Sequence, residues 1–322
     1  MQGKWEDEMR HIVVGLALAS LGFGPAHALD ELKVATGGRG GWEVSVTELG
    51  LSADMFKKHG LDVKLSYTEG SGETMQAAIS GAVDVALGIG PFGIMGAYAR
   101  GAPVRILGAT MTGVNDQYWY AKADAKINSG KELAGRTVSY STSGASTHAV
   151  VLGFKRTFGV EFNAVPTGGQ PATLTQVLSG QIDVGWAAAP FAFKELEAGR
   201  IKIVARANEV PELRQQSVRV MAVNVNNLAA KRDLIMRYLR GYRDTVEWMY
   251  TSDEAVERYA KIVGSTVEQA RKVRAEFIKK EDIMPDRVAG LDLLMKDAIS
   301  FKFLSAPLTD EQLRDLVVKI DK

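Results

Sequence analysis

Laid on itself at an offset of 99 residues, the sequence repeats without a gap: Gly60–Phe92 aligns with Gly159–Phe191, and ten of the 33 positions are identical. The identities are Gly60/Gly159, Thr68/Thr167, Gly70/Gly169, Thr74/Thr173, Ser80/Ser179, Gly81/Gly180, Asp84/Asp183, Val85/Val184, Pro91/Pro190 and Phe92/Phe191. Chance alone gives about 6% identity, or about two matches. Such a chain folds as two similar units, not as a short-period solenoid.

Each copy reads as the same supersecondary unit. A helix ends at Gly60 or Gly159, where a left-handed cap favours glycine. The first of these helices puts Val46, Leu49, Ala53 and Phe56 on one face. A strand follows (Asp62–Tyr67; Glu161–Val165), then a glycine-containing turn and a second helix carrying Met75, Ala78 and Ile79, or Leu174, Val177 and Leu178. That helix stops at Ser-Gly, and a buried strand begins at Val83 or Ile182. Upstream, Leu32–Thr36 and Thr137–Tyr140 read as the opening strands. Strands alternating with helices at this spacing predict an α/β fold of two parallel-type sheets covered by helices on both faces.

From about Asn227 the pattern turns helical: Leu234–Tyr250, Asp253–Ile262, Val267–Lys280, Arg287–Ile299 and Asp310–Ile320. Thr251-x-x-Glu254, Ser265-x-x-Glu268 and Thr309-x-x-Gln312 have capping-box spacing. Strand-like Val218–Val225 leads into these helices, so the expected lobes are 29–115 with 222–322, and 116–221. Tyr118–Ala121 and Val220–Val223 are the candidate hinge strands. Two such lobes turn the carboxyl ends of their strands toward a shared crevice, where α/β proteins bind ligands.

Residues 1–28 stand apart as an expected signal peptide. Ile12–Gly24 is an apolar run of 13 residues, too short to cross a bilayer, preceded by Arg10 and followed by Ala26-His27-Ala28 as a cleavage site. Glu6, Asp7 and Glu8 make its start acidic, which favours translation from Met9. The mature chain then begins near Leu29, with the periplasm as its expected compartment. Zero cysteines exclude disulfides, thiolate metal sites, cysteine nucleophiles and a lipid-anchored cysteine. With 39 basic against 38 acidic residues there is no net field for nucleic acid. A monomer is expected.

Gly88-Ile89-Gly90-Pro91-Phe92-Gly93 fits the dinucleotide-binding pattern. The other copy has Ala187, Ala189 and Ala192 there, so the fold asks for small residues and no nucleotide cofactor is expected. Once the leader is removed only His59 and His148 remain, a poor basis for a metal site or a triad. Asp84 and Asp183 recur in both copies, as turn chemistry before a strand would require. Ser141-Thr142-Ser143-Gly144-Ala145-Ser146-Thr147-His148, between a strand and the Ala149–Phe158 helix, is the most suggestive stretch. Its hydroxyls and free N–H groups at a positive helix end suit an oxyanion; plain N-capping is the competing reading. Arg39 and Trp42 lie in the corresponding turn of the first copy and offer charge and an aromatic wall.

At these residues the chain resembles the periplasmic substrate-binding proteins of ABC importers for nitrate, sulfonates and taurine, within the NMT1/THI5-like group. The matching stretches are Leu133–Val138, like the family's L-x-G-K-x-V, and Gly144–His148, like its G-S-S-x-H. Leu178–Val184 followed by Pro190, and the ending Phe303–Thr309, are also similar. The resemblance implies a type II two-lobed binding-protein fold, an ABC permease and ATPase as partners, no catalysis and no cofactor. It places the cleft on Arg39, Trp42, Gly88, Gly90, Thr112, Ser141, Gly144, Ser146, Thr147, Trp186 and Pro190. Taurine and sulfonate binders often carry an acidic residue just before the second-lobe proline; here it is Ala189. That leans the expected ligand toward a sulfonate or carboxylate without an amine, although Glu43 or Glu69 stands available as a substitute. An enzyme of thiamine-pyrimidine synthesis is the alternative from another class; it relies on a cysteine-containing motif this chain lacks. A ligand-sensing subunit is the third.

Overall fold

The computed structural model describes residues 28–319; the expected leader, including Ile12–Gly24, lies outside the described residues. The chain runs β1 (Asp30–Gly37), α1 (Val46–Ser52), β2 (Leu61–Thr68), α2 (Ser71–Ser80), β3 (Val85–Ile89), α3 (Pro91–Ala99) and β4 (Val104–Thr112). It continues through β5 (Gln117–Lys122), β6 (Thr137–Tyr140), α4 (Ser146–Phe158), β7 (Asn163–Pro166), α5 (Gln170–Ser179), β8 (Val184–Ala188), α6 (Phe193–Glu197) and β9 (Ile201–Arg206). β10 (Ser217–Asn224) then precedes α7 (Val225–Thr251), α8 (Asp253–Val263), α9 (Val267–Lys272), α10 (Lys280–Ile283), α11 (Leu291–Ser300) and α12 (Asp310–Leu316).

The strands form two five-stranded sheets, ordered β2-β1-β3-β10-β4 and β7-β6-β8-β5-β9. Both are mixed, which corrects the expected parallel-type sheets. β10 runs antiparallel to β3 and β4, and β5 runs antiparallel to β8 and β9. The cause is topological: each of these strands arrives from the other sheet, so it starts at the crevice edge where its neighbours end. β3, β8 and β10 are buried along their whole length, as sheets covered on both faces require; β3 and β8 read as continuous apolar runs, whereas β10 also carries Ser217, Arg219 and Asn224.

The repeated residues build the scaffold. Gly60 and Gly159 end their helical turns at φ 70° and 66°, where a side chain would be strained. Thr68 and Thr74 share a hydroxyl hydrogen bond of 2.6 Å, and Thr167 and Thr173 share one of 2.7 Å, each tying a strand end to the helix after it. Asp84 accepts from the Lys33 backbone N–H at 2.9 Å and Asp183 from that of Thr137 at 2.8 Å, so each carboxylate links two strands.

β10 lies in the first sheet from Ser217, which already pairs with Thr112, five residues ahead of the expected 222 boundary. Tyr118–Ala121 and Val220–Val223 sit inside the sheets. The crossings are the short segments Gly113–Asp116 and Gln215–Gln216, joined where the Gly113 N–H donates to the Gln216 carbonyl at 2.9 Å. α7 to α12 pack on the first sheet's side, and α9 gives way to a π-turn at Val273–Phe277. Thr309 and Gln312 form the expected capping box; the box expected at Ser265 forms one residue later, at Thr266 and Gln269. α8 starts after Ser252 without a side-chain cap, so the Thr251 box does not form.

Candidate functional site

A cavity of about 310 Å³ opens where the two sheets face each other across the crossings. Its walls are the turn after β1 (Gly37 to Val44), the residues from Tyr67 to Ser71 before α2, Gly88 at the end of β3, and Gln117 and Arg219 at the crossings. The second half adds Ser141, the first turn of α4, the start of α5, Trp186, Ala188 and Phe191. α2, α4 and α5 all begin at this cavity. Each first turn has N–H groups that no helical carbonyl can satisfy, so the wall carries three positive helix ends. At α4 the N–H groups of Ser146 and Thr147 find no acceptor within the protein.

Of the expected residues, Arg39, Gly88, Ser141, Ser146, Thr147 and Trp186 line the cavity. Gly88 takes φ 72°, which a side chain would make strained. The Ser146 hydroxyl only accepts within the protein, so its O–H stays available as a donor. The Ser146 Oγ accepts from Gln117 Nε2 at 2.8 Å, and the Thr147 Oγ1 accepts from the Ser141 N–H at 3.0 Å and shares a 2.8 Å bond with its hydroxyl. N-capping does not use these hydroxyls, because the cap residue is Ala145. The hydroxyls shape the turn, which presents its backbone N–H groups together with the Ser146 O–H.

Trp42, Gly90, Thr112, Gly144 and Pro190 lie off this cavity. Trp42 is 0% exposed: it packs edge-on against Tyr259 at 4.8 Å and donates from Nε1 to the Tyr250 hydroxyl at 3.2 Å. It anchors the β1–α1 turn to α7 and α8 and does not line this cavity. Thr112 sits on edge strand β4 and bonds the Ser217 hydroxyl at 3.1 Å. Gly90 and Gly144 meet each other: a Cβ on Gly90 would stand 2.0 Å from the Gly144 carbonyl oxygen. Pro190 borders a second cavity of about 300 Å³, shared with Arg39, Phe191, Ile262 and Val263.

The strongest electrostatic feature was not foreseen. Arg219, on β10, donates from Nη1 to Glu43 Oε1 at 2.6 Å and from Nη2 to Asp116 Oδ2 at 2.7 Å. Their side chains are 8%, 4% and 0% exposed. Burial pushes the Glu43 carboxyl above the usual carboxylate range and Asp116 adds to the rise, with Arg219 opposing it. Glu43 Oε2, Gln117 Oε1 and the Trp186 indole N–H are buried without partners. The repeat held the signal for the missed helix starts. Ser71 and Gln170 are equivalent at the 99-residue offset, and each side chain holds the end of the adjoining strand: Ser71 Oγ accepts from Gly90 N–H at 2.9 Å, Gln170 Oε1 from Ala188 N–H at 2.6 Å. No group of three His, Asp or Glu that could hold a metal occurs among the described residues.

Two mixed sheets, inverted strands exchanged between them and a ligand-sized cavity at their junction define the periplasmic-binding-protein fold. The NMT1/THI5-like family model matches residues 50–255, well over half of the chain. The chain belongs to that family. Among solved structures it is similar to the Candida albicans CA3427 gene product, at 16% identity over 91% of this chain and 97% of that one, TM-score 0.73. It is also similar to the alkanesulfonate-binding protein SsuA of Xanthomonas axonopodis pv. citri bound to MOPS, at 14% identity over 91% and 100%, TM-score 0.70. The periplasmic nitrate-binding protein NrtA of Synechocystis PCC 6803 follows at 13% identity over 90% and 86%, TM-score 0.69. The fold also carries the desulfurization enzyme DSZB, at 15% identity and TM-score 0.59 over 88% and 95%. No curated protein sequence matches the chain.

Proposed function

We propose that the chain is an extracytoplasmic solute-binding protein. It captures a small organic anion of the sulfonate or carboxylate type and delivers it to the permease and ATPase of an ABC importer. The observation that carries this reading is the cavity of about 310 Å³ with α2, α4 and α5 all starting at its wall. Oxyanions bind at such helix ends through backbone N–H groups and the dipole, at about 0.3–1 kcal/mol per end when exposed and more when sheltered. Trp186 supplies an apolar face at the same wall. The family relationship and the sulfonate- and nitrate-binding neighbours agree with solute binding.

In this reading the two sheets are the cores of two lobes that close on the solute, hinged at Gly113–Asp116 and Gln215–Gln216. The periplasm is the compartment it implies, and no helix among the described residues is long and apolar enough to cross a membrane. Binding without chemistry is favoured over catalysis. The cavity wall holds no histidine and the chain has no cysteine.

The test is a thermal-shift screen of the protein against sulfonates, carboxylates, nitrate and pyrimidines. A bound solute at 100 times its Kd adds about 2.7 kcal/mol and raises the melting point visibly. A response confined to pyrimidines, or turnover of a sulfonate, would overturn the reading.

A further inference from the structure

The turn that leads into α4 touches the other half of the molecule. It is closed by the Ala145 N–H, which donates to the Thr142 carbonyl at 3.2 Å, with Gly144 at φ 82°. Two groups of this turn reach across the crevice. The Gly144 carbonyl oxygen lies against Gly90, and the Thr142 hydroxyl accepts from the Gly72 N–H at 3.2 Å. Gly72 is the second residue of α2, which packs on the first sheet, whereas Thr142 follows β6 of the second. The bond is a helix cap supplied by the opposite half. The cap position of α2 is Gly70, which has no side chain to offer the first-turn N–H groups. Glycine at 72 leaves room for the visitor, since a Cβ there would stand 3.4 Å from the Thr142 side chain.

The repeat makes this contact one-sided. At the 99-residue offset Gly70, Ser71 and Gly72 correspond to Gly169, Gln170 and Pro171. α5 also starts after a glycine, but proline stands where α2 has Gly72 and leaves no N–H to cap. Neither Thr142 nor Gly72 lines the cavity of about 310 Å³, whereas Ser146 and Thr147, just beyond in the same turn, do. One short segment thus holds the opposite half at one end and faces the cavity at the other. Parting of the halves would strip the Gly72 N–H of its acceptor. We infer that Thr142 is a positioning residue for solute capture, which caps α2 only in the closed crevice and so favours closure over the cavity. A cap of this kind is worth about fivefold in an equilibrium. Its bearing on affinity rests on the solute-binding reading; its bearing on closure rests only on the two halves parting.

Two readouts with no solute added test it. The chain has no cysteine, so Gln76→Cys on α2 and Thr175→Cys on α5, exposed and equivalent in the repeat, take spin labels cleanly. Their separation, measured by pulsed double electron resonance, reports how far the halves stand apart. Thr142→Val keeps the shape, removes the acceptor and should move the balance about fivefold toward long distances. Amide exchange at Gly72, followed by NMR, should quicken by a similar factor, and Thr142→Ser should restore both. An unchanged Gly72 amide would overturn the inference. Faster exchange with an unchanged distance would also overturn it, by reducing Thr142 to a local cap. Titration with methane- to pentanesulfonate separates the two claims. Thr142→Val should weaken whichever of these binds the wild-type protein by up to about fivefold. An affinity unmoved by a variant that opens the halves would remove Thr142 from capture. If none of the sulfonates binds, the failure falls on the sulfonate reading, while distance and exchange still decide the role of Thr142 in closure.

Discussion

The two halves of the molecule share a scaffold and differ at the crevice. Where the repeat is identical, both halves use the residue for the same job: a left-handed helix end at Gly60 and Gly159, a threonine pair behind α2 and α5, a carboxylate bridging two strands at Asp84 and Asp183. Among its departures are positions at the ends of β3 and β8. Gly88 corresponds to Ala187 and Gly90 to Ala189. Phe92 is buried in the core while Phe191 lines the cavity, although both follow a proline. The inverted strands differ most: β10 brings Arg219 to the crevice, whereas β5 buries Tyr118 to Ala121. Duplication supplies two compatible walls, and asymmetry between them supplies recognition.

That contrast can be broken at its strongest point. Arg219→Met strands two buried carboxylates and should cost about 3–5 kcal/mol in urea unfolding. Trp119→Phe, on the opposite inverted strand, removes one 2.8 Å bond from the indole to the Ser139 carbonyl, worth about 1 kcal/mol beyond any packing loss. Equal costs would mean that the crevice charge is not special.

Next in size is the pair Gly90→Ala and Ala189→Gly. The first places a methyl against the Gly144 carbonyl oxygen, and overpacking of that kind costs about 1–3 kcal/mol. It should be relieved by parting of the lobes, seen as a larger radius of gyration in X-ray scattering and about 5- to 150-fold weaker solute binding, the same range of free energy. Ala189→Gly should leave affinity unchanged and lose about 0.5–1 kcal/mol of stability.

The shared scaffold is sharpened by Thr68→Val and Thr167→Val, each expected to cost about 1 kcal/mol in urea unfolding and to agree within about 0.5 kcal/mol. A gap much larger than that would show that the repeated threonines do not do equal work. A further effect is a pH dependence centred on His148 in the second half. His148, on α4, stacks on Tyr140 and is held neutral because burial pushes its pKa down to about 4. The unfolded chain takes up that proton near pH 6.5, so the stability it contributes is complete above that value and declines as pH falls toward about 4. Melting points of His148→Leu should lose this part of the acid slope; α1 has no histidine to show it.

Most of the scaffold was legible because local rules write it: glycine at helix ends, alternation of strand and helix, and a repeat that vouches for both. The direction of β5 and β10 was not, because antiparallel placement depends on which sheet a strand joins, a long-range property. Trp42 read as a cleft residue since a core and a binding wall both accept a large aromatic, and only the tyrosines of α7 and α8, some 200 residues away, decide between them. Arg219 was invisible for the opposite reason: a single cation inside the apolar run Val218 to Val223 looks like an exposed strand face until Glu43 and Asp116 are brought to it.

The exchange of strands also sets an order of assembly. β10 lies inside the first sheet, between β3 and edge strand β4, yet it begins 105 residues after β4 ends at Thr112. At about 5–20 residues per second the ribosome needs about 5–20 s to reach it. Through that interval the earlier-made sheet lacks the strand that joins β4 to β3, whereas β5 to β9 of the second sheet are contiguous in the chain. The half that is synthesised first is therefore finished last.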